Sequence, residues 1–230
     1  MLNYILTKNK TREFVLIIGV VSQKGGVGKS TLARLVAREY AQAGWRVKIA
    51  DLDIQQGTAF SWQARRLQHG LEPVVAVERF GTVAQAMQTA GAHDLMVLDG
   101  PPHASMGTRQ IAEASDLVLL PTGLALDDLE PSVLLAHELR KTGVDAGRIA
   151  FVLSRVGDSE AELDEARAYI AQGGYRCLMT TLPEKTAYRR ASDEGRALTE
   201  TRFASLKARA DALVQEVVDL LETNGKREAA

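Results

Sequence analysis

The chain has 230 residues, 46% of them apolar and 25% charged, a composition that fits one globular domain with a sizeable core and shows no bias toward disorder or a fibrous repeat. Its formal charge is −1, so binding of nucleic acid or membrane requires a local patch and not a general basic field. Cys177, the only cysteine, excludes an internal disulfide, a cysteine-built zinc site and a cysteine-ligated iron–sulfur cluster within one chain and points to a reducing cytoplasm.

No apolar run reaches the ~20 residues that span a bilayer, and Tyr4-Ile5-Leu6 is too short for a signal-peptide core, so a protein that is not exported is expected. Residues 1–13, polar and basic, read as a flexible extension, residues 14–224 as a single domain and residues 225–230 as a disordered tail. Strands are expected at about 14–21, 46–52, 73–78, 94–99, 116–121, 148–154 and 177–182. Helices are expected at about 30–43, 58–69, 82–90, 107–114, 129–142, 159–172, 186–194 and 203–223. The apolar runs are continuous, as in strands covered on both faces by helices. This predicts an α/β fold with a doubly wound, mostly parallel sheet. Leu32, Leu35, Val36, Tyr40 and Ala43 form one face of the first helix and read as core. Gly44, Gly70, Gly91, Gly143 and Gly173 each stand where a left-handed stop residue belongs, and Ser159 offers an N-cap.

Directly after the first strand comes Lys24-Gly25-Gly26-Val27-Gly28-Lys29-Ser30-Thr31. A strand ending in a glycine-rich turn that opens a helix converges several backbone N–H groups on one point, with the positive end of the helix dipole behind them, and suits a polyphosphate. In that arrangement Lys29 reaches the β- and γ-phosphates, Ser30 sets its hydroxyl on Mg²⁺ and Thr31 lies nearest the α-phosphate. Lys24 has no task in it. A strict phosphate-loop pattern asks for glycine where this chain has Gln23.

The second strand ends Asp51-Leu52-Asp53, which sets two carboxylates at i and i+2 on one side of a strand end, beside the loop. One would order Mg²⁺-bound water and the other the attacking water, and spacing alone does not separate their roles. The competing reading is a pair of turn-forming aspartates that cap the next helix. Asp99, after four apolar residues and before Gly100-Pro101-Pro102, would act as an acceptor toward Mg²⁺, usually through water because magnesium dehydrates reluctantly.

The loop with its leading Lys24, the Asp51/Asp53 pair, the Asp99-Gly100-Pro101-Pro102 end and Pro121-Thr122 resemble the deviant Walker ATPases of the ParA/MinD superfamily, most of all the small ParA partition proteins, over about residues 14–222. That resemblance implies ATP and ADP as ligands with Mg²⁺, and slow, partner-stimulated ATP hydrolysis. It makes Lys24 the signature lysine that reaches the phosphates bound by the other subunit of an ATP-state homodimer. It makes Asp53 the residue that positions the hydrolytic water, with Asp51 and Asp99 near the metal, so that Ser30, Asp53 and Asp99 form the expected metal set. Ser154-Arg155 and Thr181-Leu182-Pro183-Glu184 match the places where the family holds adenine, which makes Arg155 and Pro183 candidate nucleotide contacts beside a solvated-arginine reading of Arg155. Asp128 matches an aspartate the family keeps near the dimer face; the alternative is an N-cap for a helix entered at Pro131. The family's Asp-Pro-Gln is here Asp53-Ile54-Gln55-Gln56-Gly57, which leaves open which glutamine faces the nucleotide.

Between Arg176 and Arg209 eight basic residues stand against four acids, a local excess suited to salt-sensitive contacts with DNA phosphates without base readout. The alternative is a solvated helical face. The resemblance further implies a ParB-like or adaptor partner and a cytoplasmic, nucleoid-associated location. A membrane-associated MinD-like role would need a basic amphipathic C-terminal helix, and the stretch Asp211–Glu222 is amphipathic but acidic. A metabolic enzyme on the same fold is the third reading.

Overall fold

The computed structural model describes residues 14–102 and 106–228; the expected extension at residues 1–13 lies outside them. The strands are β1 (Leu16–Val20), β2 (Val47–Asp51), β3 (Ala76–Arg79), β4 (Leu95–Asp99), β5 (Leu117–Thr122), β6 (Ile149–Val156), β7 (Arg176–Cys177) and β8 (Leu182–Pro183). They form a sheet in the order β3-β2-β4-β1-β5-β6-β7, with β8 also on β6, and every pairing is parallel. The expected last strand at 177–182 is thus two short pieces on one neighbour.

The helices are α1 (Lys29–Gln42), α2 (Thr58–Gln68), α3 (Val83–Gln88), α4 (Met106–Ala114), α5 (Leu126–Lys141), α6 (Glu160–Gln172), α7 (Thr186–Asp193) and α8 (Ala204–Glu228). Alternation along β1 shows how they divide. Leu16, Ile18 and Val20 pack into a core with α1, α2 and α8, while Ile17 and Val21 pack into a second core with α3, α4, α5 and α6. Helices therefore cover both faces, which is why the strands read as unbroken apolar runs. A Cβ at Gly19 would lie 2.5 Å from Ser115 Oγ and 2.7 Å from Ile111 Cγ2, so the glycine lets α4 press against β1.

Two boundaries move. α5 starts at Leu126, with Ala125 as N-cap and Pro131 inside the helix. α8 continues to Glu228, through the start of the segment expected to be a disordered tail, because Leu213, Val214, Val217, Val218, Leu220 and Leu221 anchor it in the first core. The left-handed stop residues are Gly44, Gly70 and Gly143, and after α6 the role falls to Gly174, not Gly173.

Candidate functional site

The chain reverses direction across the sheet at β1, whose neighbours are β4 and β5, and the carboxyl end of β1 opens into the glycine-rich loop. Such a switch point is where open α/β sheets bind ligands. A cavity of about 400 Å³ lies there, lined by Gly25, Gly26, Gly28, Lys29, Ser30 and Thr31 from the loop and α1, by Asp53, Gln56 and Thr58 before and in α2, by Ser154 and Arg155 from β6, and by Pro183, Glu184 and Tyr188 beyond it. Gln56, and not Gln55, is therefore the glutamine at the cavity wall.

Gly28 is the N-cap of α1 at φ 98°, and a Cβ there would lie 2.7 Å from Ser154 Oγ. Only glycine suits that left-handed close approach. Lys29 is nearly buried, and its Nζ donates to the Lys24 carbonyl oxygen at 2.9 Å, across the turn of the loop. Burial lowers its pKa, against the opposing pull of Asp99 and Asp53. Val27 is buried and does not line the cavity.

The two aspartates after β2 separate. Asp51 ends the strand, is fully buried, and accepts from the backbone amides of Asp53 (3.2 Å), Ala59 (3.1 Å) and Phe60 (3.0 Å). It caps the first turn of α2, as the alternative reading held, and it does not line the cavity. Asp53 lies beyond the strand in a turn, accepts from Gln56 N at 3.1 Å, and faces the cavity. Their side chains do not share a direction because β2 stops at Asp51.

Asp99 ends β4 beside both β1 and β2. It is 1% exposed, and neither carboxylate oxygen makes a hydrogen bond of ordinary geometry among the described residues. Burial pushes its carboxyl up to about 7, opposed by the nearby Ser30 hydroxyl, Arg34 and Lys29. Two buried acceptors left open next to Ser30 fit an outer-sphere position for hydrated Mg²⁺, which keeps several waters and takes few protein ligands. Among the described residues there is no group of three or more His, Cys, Asp or Glu that could hold a metal by itself.

Lys24 does not line the cavity of its own chain. Its Nζ pairs with Asp128 Oδ1 at 2.7 Å in the first turn of α5. Asp128 is therefore not an N-cap. Arg155 sits at φ 58° and bridges two parts of the rim, with Nε to Glu184 at 2.6 Å and Nη1 to the Gly26 carbonyl at 2.5 Å. It is neither a freely solvated arginine nor, by these contacts, one reserved for a base. Arg34 was not singled out in the sequence, although it stands three and four residues after Thr31 and Ser30 and so lies over both on a helix. Its Nε donates to Ser30 O at 2.8 Å and its Nη2 to Thr31 Oγ1 at 3.1 Å, and it lines the cavity.

A glycine-rich loop at the switch point of a parallel sheet, with a buried lysine, two hydroxyls and the Asp53 carboxylate around one cavity, defines a nucleotide-binding α/β protein of the phosphate-loop class. The chain belongs to the CobQ/CobB/MinD/ParA nucleotide-binding domain family, whose model matches residues 18–198. It is 27% identical over 217 residues to the chromosome-partitioning ATPase Soj of Thermus thermophilus, an alignment that covers 80% of this chain and 87% of Soj. Its fold is similar to a Cyanothece McdA variant solved with ATP, with a TM-score of 0.71 at 16% identity over 90% of this chain and 98% of that one. It is also similar to the septum site-determining protein MinD of Pyrococcus horikoshii solved with Mg-ADP, with a TM-score of 0.70 at 19% identity over 89% and 96% of the two chains.

Proposed function

We propose that the protein is an ATP-driven dimerising switch for DNA segregation or positioning of a plasmid, a chromosome or a mobile element. One observation carries this reading: the loop's first lysine is held outside its own cavity by Asp128, while Lys29 alone occupies the lysine position within the loop. A lysine placed there serves a nucleotide held by a second copy of the chain. In the ATP state Lys24 leaves Asp128, two copies close face to face, and each Lys24 adds a positive charge to the partner's phosphates.

Within one site the backbone N–H groups of Gly25 to Gly28 and the Lys29 ammonium would hold the polyphosphate, Ser30 and Asp99 would hold Mg²⁺, and Asp53 would orient the attacking water. Bound Mg²⁺ supplies charge neutralisation on the phosphates. Arg155 and Pro183 border the place for the base. The similarity to the chromosome-partitioning ATPase Soj supports a partition role; a ParB-like or adaptor partner and a cytoplasmic, nucleoid-associated location complete the same reading. The basic residues of α7 and early α8 supply the non-specific DNA contacts, since Arg190, Lys207 and Arg209 are exposed and have no carboxylate within ion-pair distance among the described residues.

A MinD-like membrane role is disfavoured by the packing of α8, whose apolar stripe from Leu213 to Leu221 is used within the core among the described residues. The test is light scattering with a non-hydrolysable ATP analogue and with ADP. A dimer with the analogue and a monomer with ADP are expected, together with ATP hydrolysis that rises with DNA and partner. Equal masses in both states would sink the reading.

A further inference from the structure

Arg34 carries a buried charge that no ion pair neutralises among the described residues, although the Asp99 carboxyl is near enough to act on it. Its side chain is buried, 5% exposed, and no carboxylate lies within ion-pair distance of it among the described residues. Its guanidinium carbon lies 5.8 Å from the centroid of the Trp62 ring, and that ring is fixed by a hydrogen bond from Nε1 to the Arg196 carbonyl at 3.1 Å. A buried cation without a directly paired carboxylate is costly in the free protein. This one lines the cavity that suits a polyanion.

The direction of its hydrogen bonds adds a second argument. A threonine hydroxyl has one hydrogen to donate and two lone pairs that accept, and inside a helix it ordinarily donates back to a carbonyl of the preceding turn. Here Thr31 Oγ1 accepts from Arg34 Nη2 at 3.1 Å and donates to no group among the described residues. Its hydrogen is left for a ligand.

We propose that Arg34 is a positioning residue of the nucleotide site: by occupying a lone pair of the Thr31 hydroxyl it presents that hydroxyl's hydrogen to a phosphate oxygen, and its buried charge is balanced when the phosphates arrive. This rests on the nucleotide-switch reading above. Trp62 and the Ser30 carbonyl hold the guanidinium in the one orientation that reaches Thr31.

The test is calorimetric titration of the full chain with ATP and Mg²⁺, using Arg34→Met, Thr31→Val, the double variant and Arg34→Lys. Arg34→Met and Thr31→Val each weaken ATP binding about tenfold, the size expected of one hydrogen bond to a charged group. The double variant loses clearly less than the product of the two single losses, and Arg34→Lys, which keeps the charge but cannot reach both partners, falls between wild type and Arg34→Met. Wild-type affinity in Arg34→Met or in Thr31→Val overturns the proposal, as does an Arg34→Met loss of equal size with and without the Thr31 hydroxyl. If melting curves show that Arg34→Met does not fold, Arg34→Lys replaces it in the cycle, where a loss undiminished by Thr31→Val is the overturning result. A wild-type chain that binds no ATP removes the nucleotide reading itself, an outcome no Arg34 variant can imitate.

Discussion

Lys24 and Asp128, 104 residues apart in sequence, meet at 2.7 Å between Nζ and Oδ1, so the first residue of the phosphate loop is tied to the start of α5 within one chain. Both side chains are partly exposed, and such pairs contribute about 1 kcal/mol or less. A contact this weak can hold the lysine in the free protein and release it when a stronger anion appears. Asp128→Asn should therefore favour the nucleotide-bound dimer by up to about fivefold in its dissociation constant, read by light scattering across a protein dilution series. Weaker dimerisation would show instead that Asp128 serves the assembled state.

Three replacements separate the steps of the switch. Lys29→Ala should abolish ATP binding. Asp53→Ala should bind ATP and dimerise but lose turnover by about 10²- to 10⁴-fold, the range for a lost acid–base or water-orienting group. Lys24→Ala should bind nucleotide yet fail to dimerise or hydrolyse; normal turnover by that variant would remove its role across the dimer.

The pH dependence of the nucleotide-free protein should carry the mark of Asp99. Its carboxyl is raised to about 7 from an ordinary 3.8, so between these values the folded chain binds a proton that the unfolded chain has lost. Stability then falls as pH rises through that window and levels off above 7, by at most about 4 kcal/mol. Asp99→Asn should melt higher than wild type at pH 8 and by a clearly smaller margin at pH 5 without nucleotide, since only about a third of the effect is present there. An identical pH profile for the two proteins would contradict this.

Gly28→Ala tests the close approach at the N-cap of α1. The left-handed φ of 98° and the 2.7 Å contact with Ser154 Oγ should cost about 1–3 kcal/mol and displace the loop. Lower melting and lost ATP affinity are expected together, whereas Gly143→Ala, whose Cβ would meet nothing within 4 Å, should lower melting without changing ATP affinity.

DNA affinity should respond to the exposed basic residues. Replacing Arg190, Lys207 and Arg209 with alanine should weaken non-specific DNA binding in the ATP state and lower the salt slope by about one per phosphate contact removed. Fluorescence anisotropy at several salt concentrations reads both. An unchanged slope would leave this face as solvated surface.

The order of the elements was legible in the sequence because its signals are local: a continuous apolar run, a glycine after a helical pattern, a phosphate loop between a strand and a helix. The expected start of α5, about residue 129, falls three residues late because Pro131 reads as a first-turn proline, whereas the structure has it inside the helix, and Ala125 gives no capping signal. The α8 helix, expected to end at about residue 223, runs to Glu228, beyond Leu221, its last residue in the core. Arg34 was hidden for a related reason, since a charged residue in an amphipathic helix ordinarily reads as solvent-facing.

By itself, then, the sequence determined that a loop rich in backbone N–H groups would end the first strand, that carboxylates would gather at the same end of the sheet, and that the loop would carry one lysine more than a phosphate site requires. Tertiary structure decided which group does which task. It turned Asp51 under α2 and left Asp53 at the cavity, buried Asp99 with open acceptors, and brought Asp128 to Lys24 and Arg34 to Thr31. Spacing fixes which end of a strand or which face of a helix a side chain occupies, but its partner is set by packing between segments far apart in the chain.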